Sequence, residues 1–183
     1  MARPAQKKDK YTYEDYLRLP EDKRYELIRG ELVMVPAPKT KHQRISLRLL
    51  RLLSDYVEKN NAGEIFPAPT DVYFDDENVV QPDILFISKE RQEIITEDNI
   101  KGAPDLVVEI VSPSSAYYDL VKKKKIYARF GVKEYWAVDP EEKTVEVYLS
   151  ADVFKVAQSL SEGDSLSSAM FPGLSVDLIE LFK

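Results

Sequence analysis

The sequence predicts a mixed α/β domain, with one central mixed sheet flanked by helices. Three observations lead there. Segment 40–60 repeats Ile45, Leu49, Leu52, Leu53 and Tyr56 at three- and four-residue spacing, the period of a helix with one buried face. Two runs, 79–87 and 104–111, are almost continuously apolar, as in strands covered on both sides. The order that follows from the whole chain is helix, three strands, helix, strand, strand, which suits a sheet with helices packed on it.

Taken in order, residues 1–10 are polar and basic and are expected to form a disordered tail, leaving 11–183 as a single domain. Thr12 can cap a short helix over 13–19, which Pro20 ends. In Tyr25-Glu-Leu-Ile-Arg-Gly-Glu-Leu-Val-Met-Val35, two apolar runs flank Arg29-Gly30, the pattern of a hairpin. The helix over 40–60 is stopped by Asn60, Asn61 and Gly63. Strands are expected over 70–74, 79–87 and 106–111, the first two joined by an acidic turn at Asp75 to Asn78. A second helix covers 118–130 and stops at Gly131. Strands over 135–138 and 144–149 turn at Asp139-Pro140, and 177–182 forms a short final helix.

Composition removes several kinds of chemistry. The 183 residues include no cysteine, which excludes disulfides, thiolate metal sites and cysteine nucleophiles. No apolar run approaches the roughly 18–20 residues of a membrane span, and the polar N-terminus lacks the apolar core of a secretory signal. A cytoplasmic protein is the expectation. The net charge of −6 means that any nucleic-acid binding must use a local basic face.

Two acids interrupt the apolar runs: Asp83 in 79–87 and Glu109 in 104–111. A buried carboxylate needs a cation, a partner or water. Carboxylates on two central strands can meet in one cluster and suit a hard divalent cation such as Mg²⁺, whose shell water and phosphate oxygens complete. Each acid alone favours a structural reading, Asp83 at a Pro-Asp strand edge and Glu109 paired with a lysine; together they favour a site. On the second helix, Leu120, Tyr127 and Phe130 share one face, and Lys123 and Lys124 fall in that apolar sector while Lys122 and Lys125 point away. A lysine there either snorkels or serves a buried acid.

On the first long helix, Lys41, Arg44, Arg48 and Arg51 form a stripe that reads equally as a phosphate-backbone face or a solvated helix face. His42, the one histidine, heads the opposite, apolar stripe. Glu26 and Glu31, on the two arms of the early hairpin, are each within possible reach of a metal site, or are simply exposed strand glutamates.

The segments Tyr25 to Val33, His42, Gln81-Pro-Asp83, Pro104-Asp-Leu-Val-Val-Glu-Ile-Val-Ser-Pro113 and Gly131-Val-Lys-Glu-Tyr-Trp-Ala-Val-Asp139 together resemble the Uma family of restriction endonucleases, in the PD-(D/E)xK nuclease superfamily. The resemblance runs from about Tyr11 to the C-terminus. It implies a restriction-endonuclease-like core, with the N-terminal helix and hairpin as an extension, and Mg²⁺-dependent phosphodiester cleavage with Mn²⁺ as a substitute. Asp83 and Glu109 match the two motif acids. The superfamily's lysine, two residues past the second acid, is replaced here by Val111. The family pattern places a lysine on the following helix instead, at Lys123, with Tyr127 after it. Glu31 and His42 match positions lining the site, and Gln81 is a neighbour of Asp83. DNA as partner and a homodimer follow by analogy with endonucleases that cut two strands; no organic cofactor and no membrane are expected. The alternative is a catalytically inactive nucleic-acid-binding or protein-interaction module on the same fold, which the missing strand lysine and the acidic charge favour. Hydrolysis of another phosphoester is a third reading.

Overall fold

The computed structural model describes residues 9–20, 22–150 and 154–183. Most of the tail expected at 1–10 therefore lies outside the described residues. Helix α1 (Tyr13–Tyr16) precedes strands β1 (Tyr25–Ile28) and β2 (Glu31–Met34), helix α2 (Thr40–Asn60), and strands β3 (Gly63–Pro67), β4 (Val72–Asp75), β5 (Asn78–Val80) and β6 (Ile84–Ser88). A 3₁₀ stretch (Lys89–Ile94) and β7 (Ile100–Lys101) lead into β8 (Leu106–Ile110). A π-helical segment (Tyr118–Lys123) runs directly into α3 (Lys124–Phe130). Strands β9 (Glu134–Asp139), β10 (Thr144–Leu149), β11 (Lys155–Ser161), β12 (Ser165–Ser167) and β13 (Ser175–Asp177) follow, and α4 (Leu178–Phe182) closes the chain.

The central sheet has six strands in the order β11-β10-β9-β8-β6-β3. It is mixed: β8 and β9 run parallel, and the other neighbours are antiparallel. The parallel pair needs a crossover, which α3 supplies. The expected hairpin of β1 and β2 joins a second, five-stranded sheet in the order β2-β1-β5-β4-β7. Its turn residues Arg29 and Gly30 have φ of 56° and 78°, the left-handed pair that a two-residue hairpin turn demands.

Because side chains alternate along a strand, β8 feeds two cores. Leu106, Val108 and Ile110 pack with Ile45, Leu49, Leu53 and Val57 of α2. Val107 and Val111 pack with Ile126 and Tyr127 of α3. Glu109 has the parity of this second face. Leu52, expected in the α2 stripe, is exposed, and Leu53 and Val57 take the buried positions.

The expected strand over 79–87 is two strands, one in each sheet, with Gln81-Pro82-Asp83 between them. Proline has no N–H for a ladder bond, so the chain leaves one sheet at Pro82 and enters the other at Ile84. Strands β3 and β11 escaped prediction. The first is an edge strand with Gly63 and Pro67 in it; the second is mostly exposed and carries little apolar signal.

Candidate active site

The crossing between the sheets sets Asp83 beside β8. Ile84 is in register with Val108, so Asp83, one residue earlier, lies next to the end of β8 that carries Glu109 and Ile110. The Ile110 N–H donates to Asp83 Oδ2 at 2.7 Å. His42 Nε2, from the first turn of α2, lies 3.1 Å from the same oxygen. His42 Nδ1 is buried and, among the described residues, has no hydrogen-bond partner.

Glu109 is buried on the α3 side of β8, where the Tyr127 hydroxyl donates to its Oε1. Lys123 Nζ sits 3.1 Å from the same oxygen. The ammonium also lies 2.9 Å from Glu26 Oε1 and 3.2 Å from Asp119 Oδ1. Three elements thus meet at one nitrogen: β1 brings Glu26, β8 brings Glu109, and the π-helical segment brings both Asp119 and Lys123. The wider π turn departs from the α-helical wheel, but the spacing of four keeps Asp119 and Lys123 on one inward face. Glu26 is fixed further by the Gln81 backbone N–H, which donates to its Oε1 at 2.8 Å.

Three carboxyl groups share one ammonium in a buried place. Burial pushes the Glu109 carboxyl well above the usual carboxylate range; Lys123 pulls it down, but Asp119, Asp83 and Glu26 add to the rise. Burial raises Glu26 as well, against the pull of Lys123 and the Gln81 N–H. Burial by itself would lower the Lys123 ammonium; the combined fields of Glu109, Glu26 and Asp119 carry it well above its ordinary value. The lysine therefore stays charged, and the cluster is short of positive charge.

The cluster forms part of the wall of a cavity of about 460 Å³. Glu26, Asp83, Glu109, Asp119 and Lys123 all line it, as does Val111, where the superfamily lysine would stand. Lys123 brings its ammonium to Glu109 from the next helix instead.

Of the other residues singled out in the sequence, His42, Gln81 and Tyr127 join this region. Gln81 acts through its main chain on Glu26, while its side chain accepts from Arg24 Nε at 3.0 Å and donates to Asp71 at 2.8 Å. Glu31 does not join the cluster: it is exposed, and accepts from the Tyr118 hydroxyl at 3.2 Å and from Lys122. Lys124 leaves the site, its ammonium 4.0 Å from the Tyr148 ring centroid. Lys41 lines the cavity and pairs with Glu141 at 3.2 Å. Arg48 donates to the carbonyls of Leu181 and Lys183 at 2.9 and 2.7 Å, which ties it to the end of α4. Arg44 and Arg51 are exposed. Asp119 went unnoticed in the sequence, although its position four residues before Lys123 was a usable signal. Glu26, singled out with Glu31 on the early hairpin, joins the cluster because the second sheet buries it in β1.

Residues 13–179 match the model of the Uma2 family, described as "Putative restriction endonuclease". The chain belongs to this family. An uncharacterized protein of Synechocystis, sll1609, is 26% identical over 141 residues, covering 75% of this chain and 79% of that protein. A crystal structure from Anabaena variabilis, described as a "putative nuclease belonging to DUF820", superimposes with a TM-score of 0.79 and 25% identity. The match covers 93% of this chain and 97% of that one. The nuclease-like fold read from the sequence is thus the fold of the chain.

Proposed function

We propose that this protein is a Mg²⁺-dependent endonuclease that hydrolyses phosphodiester bonds in DNA, with Mn²⁺ able to replace Mg²⁺. The observation that carries this reading is the deficit of positive charge at Glu26, Glu109, Asp119 and Lys123, facing a cavity that Asp83 also lines.

The residues fit a divalent ion of the hard, weakly caged kind. Among the described residues no group of three acids or histidines forms a ready metal cage. Mg²⁺ asks for less: one or two carboxylates, with water and substrate phosphate for the rest. Asp83, immediately before β6, and Glu109, on the neighbouring β8, are the pair that would hold it. When bound, the ion supplies charge neutralisation at the scissile phosphate and makes a coordinated water more acidic.

The chain's own residues do the remaining work. The Ile110 N–H and His42 hold Asp83 Oδ2 at the cavity wall. Tyr127 and Lys123 both engage Glu109 Oε1, which orients Oε2 away from them. Lys123 is the residue that assists the attacking water. Its ammonium donates to Glu109 and lies within ion-pair distance of Glu26 and Asp119, so it reaches that water by exchanging one of these partners. Asp119, the most distant at 3.2 Å, is the one it gives up. The ammonium then faces the charge that develops at phosphorus. A homodimer would bring two such sites into one particle.

The test is cleavage of plasmid and oligonucleotide DNA with Mg²⁺ or Mn²⁺. Cleavage is expected in the wild-type protein, none with chelator, and none in Asp83→Ala. Equal cleavage by Asp83→Ala would remove the site assignment. DNA binding without cleavage under any divalent ion would favour an inactive binding module on this fold.

A further inference from the structure

We infer that the cavity receives an unpaired nucleotide of a DNA or RNA strand, its base held on the Tyr117–Tyr118 lip, rather than an intact duplex. The inference rests on the nuclease reading above and adds the substrate class to it.

The first observation is an exposed aromatic residue at the edge of the site. Tyr117 is 61% exposed, a high value for so large an apolar ring. Its ring centroid is 5.8 Å from that of Tyr118, edge to face, and Tyr118 lines the cavity. The Lys122 ammonium lies 5.6 and 5.1 Å from the two centroids. That ammonium is held by Glu31, so it steadies the two rings, and the rings are what a single strand uses, because bases stack on exposed aromatic faces. Tyr117 stands two residues before Asp119 and immediately before the π-helical segment that carries Lys123. A base stacked there places its phosphate toward the acidic floor.

The second observation concerns the rest of the wall. Met34 and Leu47 line the same cavity and are 58% and 47% exposed. An apolar rim over an acidic floor suits a ligand with a flat apolar face and an anionic group, the latter reaching the floor through the divalent ion. A nucleotide has both. In a duplex the base faces are stacked on their neighbours and cannot be presented, so the occupant must be unpaired or extruded.

The third observation weakens the duplex alternative. A protein of net charge −6 needs a concentrated cationic face to hold double-stranded DNA by its phosphates. The candidate was the α2 stripe. Two of its four members are committed elsewhere, Lys41 to Glu141 and Arg48 to the C-terminal carbonyls.

Binding can be read separately from cleavage. Fluorescence anisotropy of the full chain, with Ca²⁺ in place of Mg²⁺, would compare labelled single-stranded DNA, single-stranded RNA and blunt duplex DNA, each roughly a dozen nucleotides long. Single strands are expected to bind at least about ten-fold more tightly than duplex, the DNA and RNA arms separating the two sources of an unpaired base. Tyr117→Ala should weaken single-strand binding roughly ten-fold and leave duplex binding unchanged, and Tyr117→Phe should restore it. Thermal melting of each variant checks the fold, which an exposed ring does not support. Duplex binding as tight as single-strand binding, or a silent Tyr117→Ala, would overturn the inference. So would light scattering that shows a dimer disrupted by Tyr117→Ala, because the ring would then be an interface residue. Duplex cleavage lost in Asp83→Ala, with no single-strand preference, would leave the nuclease reading standing and this one fallen. A single-strand preference without any cleavage would do the reverse.

Discussion

Asp105 and Glu109 stand four residues apart on one strand segment, and both are buried. Their surroundings push them in opposite directions. Asp105 accepts from the Ser88 N–H at 2.8 Å and pairs with Arg91 at 3.2 Å and Lys133 at 2.6 Å. Burial alone would raise its carboxyl, but Lys133, the Ser88 N–H and Arg91 outweigh burial and hold it below the usual range. Glu109 lies deeper in the protein and shares a single ammonium with two other acids, and there burial prevails. Depth and the ratio of cations to carboxylates together set the direction for each acid. Asp105 is matched by two cations and a main-chain donor; Glu109 shares one ammonium with Glu26 and Asp119.

Changes on either side test this contrast. Lys123→Ala removes the only ammonium from three carboxyl groups and should cost about 3–5 kcal/mol of stability in urea unfolding, together with cleavage. A loss under ~1 kcal/mol would mean that the cluster is already neutral by protonation. Glu109→Gln should lower cleavage on the order of 10³-fold while the melting temperature stays level or rises, because one excess negative charge is gone. A clear drop in melting temperature would place Glu109 with Asp105 as a structural acid. Asp105→Asn should do the opposite: about 2 kcal/mol less stability, and unchanged cleavage per folded molecule. Its pH dependence has a fixed sign. The folded carboxyl is held low, so its contribution is complete above the unfolded value near ~3.9 and is lost as pH falls through the lower folded value. The stability gap between wild type and Asp105→Asn should therefore be flat above about pH 5 and close only in stronger acid. A gap that closes near neutrality would contradict the pairing. Lys133→Ala should have the smallest effect, under ~1 kcal/mol, because that side chain is 56% exposed and Arg91 remains.

Much of the fold was legible. The helix over 40–60 has the bounds read from its period, and the strand over 144–149 likewise. The final helix begins one residue after Asp177, which caps it by accepting from the N–H groups of Ile179 and Glu180. The site was legible where an acid or lysine broke an apolar pattern, as Asp83, Glu109 and Lys123 do. Where no pattern was broken, the signal was weaker. Asp119 lies in a polar helical stretch, and Glu26 lies in a hairpin whose burial depends on partners far along the chain.

The sequence by itself determined which segments would be buried, because hydrophobic period is a local property of the chain. It also determined which charged residues would be out of place there. The tertiary structure decided what those charges meet. Glu26 and Glu31 differ little in sequence, five residues apart on one hairpin, yet one reaches Lys123 and the other faces Lys122 and Tyr118. Lys123 and Lys124 shared a predicted face, yet one lies among three acids and the other on the Tyr148 ring. Such choices depend on strand register, a π turn and the packing of two sheets. These are long-range facts, and a difference of one residue in any of them changes a side chain's neighbours entirely.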